Sequence, residues 1–205
     1  FTYLGWFDRG KADDLARELS DEGWDTDVRP AGAFSTLGWF KDPILSTMIS
    51  DGDSAMGSLV NVVLHESVHA SLYIDDQSYF NESLASFAAD LMTPTYLSER
   101  FGEKSKEFSG WNGATESWQK RRKLFHEAFV KLDTLYKSKR TDEKKKSEKQ
   151  KILSALKTEV QYKREITNAT LVQYQTYSSG QPGFEAVLRA CGGDWGRFWK
   201  KMRSG

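Results

Sequence analysis

The sequence predicts an α+β protein that is predominantly helical, with a small mixed α/β part at 1–50 and a helical part at 51–205. Three observations carry that prediction. Short segments before residue 50 alternate in polarity or run extended between Gly and Pro. From Met56 onward, apolar residues recur at helical spacing. Aromatic residues make up 13% of the chain, which favours a packed protein over a disordered one.

Taken in order, "YLGWFDRG" and "TLGWFKDP" read as two short strand-and-turn elements; the shared "LGWF" is too short to make a repeat. Between them, "KADDLARELSDEG" has Leu15 and Leu19 on one helical face and Gly23 as a stop. "WDTDVRP" alternates like a strand, and "AGAFSTLGWF" reads as extended until Asp42-Pro43 breaks it. Met56, Val60, Val63, Ser67 and Ala70 then fall at helical spacing. Val62 and Leu64 cover other faces, so this helix is expected to be buried nearly all round.

After the loop "DDQ", a second helix is expected from about Ser78 through Leu91, ending or kinking near Pro94. A third covers roughly Thr115 to Lys137. The charged stretch 137–151, "KSKRTDEKKKSEKQK", mixes both signs and reads as a solvated helical face. "PGFEAVLRACGGDWGRFWKKM" reads as two short helices divided by Gly192-Gly193. At 205 residues the whole is expected to form a single domain, 1–205, with a sizeable core.

Composition removes several classes of function. With 29 basic and 29 acidic residues there is no global field for nucleic acid or a membrane surface. The charged stretch lacks the single sign and interleaved aromatics that nucleic acid requires. Cys191 stands alone, which excludes an intrachain disulfide and a cysteine-rich zinc module. No apolar run approaches membrane-spanning length, so no membrane contact is expected from this chain. The start at Phe1, without Met, reads as processed, with targeting information upstream.

Chemistry concentrates in "VVLHESVHASLYIDDQSYFNESLASF". Residues i and i+4 of a helix share a face, so His65 and His69 can direct imidazole nitrogens at one ion. Zn²⁺ accepts two such nitrogens and a carboxylate, leaving a fourth position for water. Glu66 leans toward that position, where it can take the proton of a water attacking a carbonyl. The bland alternative is a buried helix with hydrogen-bonded histidines. Against it, Glu66 and two His among Val, Leu and Ala are expensive to bury without a charge partner.

Glu82 is the expected third ligand. His69 lies about five residues, or roughly 7 Å of rise, before a first helix ending near Ile74. If Ser78 caps the second helix, Glu82 lies about four residues, or roughly 6 Å, inside it. An antiparallel hairpin then brings the two level. Asp75 and Asp76 sit in the turn itself. Asp90, two helical turns beyond Glu82, is better placed to accept a hydrogen bond from a histidine N–H. His126 is read as an ordinary helix residue. The sequons at Asn81 and Asn168 are treated as incidental.

These blocks resemble the zinc aminopeptidase family of Gram-negative bacteria. "YLGWFD" resembles the family's Y-x-G-Y-F opening, and "AFSTLGWFKDPILSTM" its A-Y-S-T-L-G-W-F-x-D-P-x-L-S-T block. "LHESVHASLYIDDQSYFNESLASF" resembles H-E-x-A-H and F-N-E-S-x-A-x-F. "TNATLVQYQTYSSGQPGFEAVL" resembles N-N-A-x-L, a tyrosine and P-x-F-E. Val68 replaces the usual Ala, Phe34 stands where the family has Tyr, and Thr167 replaces the first Asn of the N-N pair.

The resemblance implies a zincin-like helical domain of glutamate-zincin type, with an HExxH helix and a glutamate-bearing helix. It implies one zinc on His65, His69 and Glu82, with Glu66 as catalyst, acting on a peptide or protein substrate. A periplasmic location in the bacterial envelope is implied too, with a lipid anchor supplied upstream in some members. The expected reaction is metal-assisted amide hydrolysis with Glu66 as general base. It also needs a donor for the oxyanion, for which Tyr177 and Tyr174 of the C-terminal block are candidates. The extended stretch Phe34 to Gly38 is a candidate edge for strand-like substrate binding. The alternative is a catalytically silent zinc-binding module that binds envelope proteins or peptides.

Overall fold

The computed structural model describes residues 4–32, 36, 40–41, 43–175 and 180–204. Along the chain run α1 (Arg9–Asp21), a 3₁₀ turn (Ser46–Met48), α2 (Ala55–Ser71), α3 (Ser78–Phe101) and α4 (Lys106–Lys137). They are followed by α5 (Asp142–Glu159), α6 (Asn168–Val172), α7 (Gln181–Ala190) and α8 (Trp195–Ser204). No helix among the described residues is long and apolar enough to cross a membrane.

The expected mixed α/β character of residues 1–50 is overturned: no strand forms among the described residues. The stretch "WDTDVRP" is free of helix, but nothing pairs with it as a ladder. Side chains and a helix start satisfy it instead. The Thr167 hydroxyl donates to the Thr26 carbonyl at 3.3 Å, and the Arg164 guanidinium donates to the Val28 carbonyl at 3.2 Å. The Asp25 carboxylate accepts from the first backbone N–H of α6 and from Lys149. Burial does not follow the alternation, since Thr26, Asp27 and Val28 are all partly buried while Trp24 is 67% exposed, so the pattern does not mark the face of a strand. Much of "AGAFSTLGWF", including Phe34 and Gly38, lies outside the described residues.

Two compact units are formed. The first comprises Phe1–Pro30 and Ser117–Tyr177. Its core gathers Phe125, Ala128, Leu132 and Leu135 of α4 with Leu156 of α5, Ile166, and Leu171 of α6. Helix α1 begins at Asp8, whose carboxylate accepts from the N–H groups of Gly10 and Lys11, and ends before Gly23 at φ +93°. It buries no residue. Helix α5 buries Leu156, and its charged start is tied by the pairs Arg140–Glu148 and Lys149–Asp25.

The second unit comprises Ala31–Glu116 and Ser178–Gly205. Its core is Val68 of α2, Leu84, Ala85, Phe87 and Ala88 of α3, Phe184 of α7, Cys191, and Phe198 of α8. Phe87 is the hub, with ring centroids 5.6 Å from Phe184 and 6.0 Å from Phe198. Gly192 and Gly193, both at positive φ, make the turn between α7 and α8.

Three helices depart from expectation. Helix α3 continues through Pro94 to Phe101, because Ala89, Thr93 and Leu97 are buried on both sides of the proline. That burial outweighs the roughly 3 kcal/mol a helical proline costs. Helix α2 is covered on part of its surface only, with Met56 and Val63 exposed. Helix α4 starts at Lys106, well before Thr115, despite Gly110 and Gly113.

Packing requires one of those glycines. A Cβ on Gly110 would stand 2.6 Å from the Asp53 carbonyl carbon, and one on Gly57 would stand 2.7 Å from the Trp111 ring. Gly113 has no atom within 4 Å of that position. Gly110→Ala is therefore expected to destabilise by about 1–3 kcal/mol through overpacking against backbone. Gly113→Ala should stabilise by up to about 1 kcal/mol through helix propensity. Urea unfolding midpoints of the two variants check the opposite signs.

Candidate metal centre

Helix α2 carries His65, Glu66 and His69, and α3 carries Glu82. The helices pack antiparallel, since residues early in α2 meet residues late in α3. Near one end of the contact, Asn61 Nδ2 donates to Asp90 Oδ1 at 3.1 Å and to Thr93 Oγ1 at 3.3 Å. Thr93 is itself buried and donates to the Ala89 carbonyl. Asn61 lies one helical turn before His65 on the same face, so this tie fixes the ligand face of α2 against α3.

At the other end, the histidine rings stand edge to face, with Nε2 atoms 3.1 Å apart. Glu82 Oε2 lies 3.3 Å from His65 Nε2, and Glu82 Oε1 lies 3.5 Å from His69 Nε2. The structure thus gathers His65, His69 and Glu82 as a group able to hold a metal ion, as the loop length predicted. A tetrahedral zinc with bonds of roughly 2.0–2.1 Å places its ligand atoms roughly 3.3–3.4 Å apart. The two Nε2 atoms lie 3.1 Å apart and each has a different Glu82 oxygen within 3.5 Å, so two imidazole nitrogens and a carboxylate, the donor types zinc takes, are gathered at one place.

Electrostatics agree. Hydrogen bonding to His65 and then His69 holds the Glu82 carboxyl at about 2, below its ordinary 4.5, although burial pushes the other way. Glu82 is therefore charged, the form in which a carboxylate ligates. His69 is 6% exposed, whereas Glu82 is about half exposed, so the cluster opens to solvent on the α3 side. Glu66 is half-buried next to His65 and forms no hydrogen bond or ion pair among the described residues.

Other expected residues stand elsewhere. Asp90 accepts from Asn61, and the buried Nδ1 of His69 has no hydrogen-bond partner among the described residues, so the bond expected from Asp90 to a histidine N–H is not made at His69. Asp75 and Asp76 are exposed in the turn after α2, outside the cluster. His126 belongs to the first unit, where its Nδ1 donates to the Tyr174 carbonyl at 2.8 Å. Tyr174 packs its ring on Phe125 at 4.6 Å, and burial pushes its phenol pKa up. Tyr177 lies outside the described residues. Asn81 is 1% exposed, which closes that sequon to glycosylation.

The sequence reading missed two neighbours of the cluster. Asn61 could have been found as a polar residue one turn before His65 on the same face. Tyr73, four residues past His69, sets its ring edge-on to that imidazole with centroids 6.2 Å apart.

Comparison with known proteins adds one match. A family model described as "Putative aminopeptidase" covers residues 1–204. No curated protein and no solved structure matches the chain.

Proposed function

The chain belongs to the family described as "Putative aminopeptidase", and from that membership we propose a zinc-dependent peptidase of glutamate-zincin type, acting on peptides in the bacterial envelope. His65, His69 and Glu82 would hold the metal, and Glu66 is the general base. The observation that supports this most is the convergence of two imidazoles and an ionised carboxylate from antiparallel helices, with the Glu66 carboxylate next to His65 along α2.

Zinc, when bound there, polarises the scissile carbonyl and acidifies a water. Glu66 would take a proton from the attacking water and return it to the departing amine, the work of a carboxylate with no side-chain partner among the described residues. Glu82, held ionised by hydrogen bonding to His65 and then His69, would contribute its negative charge to the metal site.

The test measures bound zinc by elemental analysis, then compares cleavage of a free-amine peptide with its N-acetylated twin. One zinc per chain with cleavage of the free-amine peptide alone supports the aminopeptidase. Cleavage of both peptides makes the enzyme an endopeptidase. Zinc without turnover points to the silent binding module. Protein refolded with zinc that retains none overturns the proposal.

A further inference from the structure

Nothing conventional caps the start of α3. Its N-cap is Gln77, which makes no side-chain capping bond, and Asp76 just before it has φ +60°. The position of this helix start matters, because Glu82 lies in the first turns of α3 and must stay level with His69. A buried side chain supplies the missing constraint. Asn81 is 1% exposed, and both arms of its amide reach back to one residue of the loop after α2. Its Oδ1 accepts from the Ile74 N–H at 3.0 Å, and its Nδ2 donates to the Ile74 carbonyl at 2.7 Å.

The pairing is a closed account of polar groups. Ile74 keeps both its backbone groups satisfied, its carbonyl taking a second bond from the Gln77 N–H at 3.2 Å. The backbone N–H of Asn81 in turn donates to the Gln77 carbonyl at 2.9 Å. A buried primary amide without such partners is costly, so Asn81 strongly selects the one arrangement that satisfies it. That arrangement fixes the loop leaving the His69 helix to the turn of α3 that holds Glu82.

We propose that Asn81 is a positioning residue for the metal centre: by clamping Ile74 it sets the register of α3 against α2 and so aims Glu82 at His65 and His69. The inference rests on the reading of Glu82 as a zinc ligand. Asn81 touches no reacting atom. It acts through its chain neighbour, by limiting the arc over which the Glu82 carboxylate can swing away from the imidazoles.

The experiment is a double-mutant cycle on zinc affinity, using competition with a chelating dye, at a temperature where circular dichroism shows every apo variant folded. The proteins are wild type, Asn81→Ala, Glu82→Ala and the double variant. Asn81→Ser, whose hydroxyl can satisfy one Ile74 group, substitutes should Asn81→Ala fail to fold. Asn81→Ala is expected to weaken zinc binding by roughly 10–100-fold, the range for residues that orient a ligand. In the Glu82→Ala background the same change should cost less than about threefold, because the ligand it aims is gone.

Equal affinity in folded Asn81→Ala and wild type overturns the proposal. So does an undiminished loss in the Glu82→Ala background, which would mark general damage to the helix pair. Wild type that binds no zinc overturns the metal reading itself, and Glu82→Ala that binds as tightly as wild type removes Glu82 as a ligand. These outcomes separate the failure of the clamp from failure of the function.

Discussion

Replacing Glu66 by Gln lowers the rate of peptide hydrolysis by about 10²–10⁴-fold, the contribution of a positioned general base. The amide has nearly the same size and shape but cannot accept a proton from water. The Glu66 side chain forms no hydrogen bond or ion pair among the described residues, so the substitution is expected to leave the fold intact. Zinc content should remain that of wild type, since Glu66 is not in the ligand group. The loss should fall on kcat with little change in KM, because the interaction is made in the transition state. Steady-state kinetics beside elemental analysis check both halves. Activity within tenfold of wild type at full zinc content removes Glu66 as the base.

Replacing His69 by Ala reduces zinc affinity more than about 100-fold, beyond the loss expected for a residue that only orients a ligand. His69 is the buried member of the pair, and its Nε2 faces both His65 and Glu82. Ala leaves two ligand atoms where three converge. Acidification of wild type should do the same reversibly, and the sign follows from the ligands. Imidazole must be neutral to ligate, so occupancy falls as pH falls. The Glu82 carboxyl, held at about 2, stays charged until the pH nears that value, so its own protonation does not begin the loss. Dye competition across a pH series, with His69→Ala beside wild type, reads both effects. A variant that binds zinc as tightly as wild type takes His69 out of the site.

The candidate site was more legible than the fold around it. The positions of His65, Glu66 and His69 on one helix follow from spacing alone, since i and i+4 always share a helical face. Glu82 required one further assumption, an antiparallel hairpin, and the short loop leaves few alternatives. The N-terminal part was misread because alternation in "WDTDVRP" is not matched by alternate burial, and side chains rather than a second strand meet its backbone carbonyls. Pro94 misled in a different way. Local propensity argues for a stop there, yet buried neighbours on both sides of it in α3 override it.

The sequence by itself placed the candidate residues: His65, Glu66 and His69 fall at intervals that local helix geometry converts into proximity, and a short loop leads from them to Glu82. What only the tertiary structure decided is how that proximity is held. Asn61 reaching Asp90 and Thr93, Asn81 clamping Ile74, and Tyr73 edge-on to His69 are contacts that depend on the docking of α2, the loop and α3. Spacing along one helix is a property of the backbone and can be counted from residue numbers. Spacing across a loop depends on which buried polar groups find partners, and only the packed helix pair resolves that.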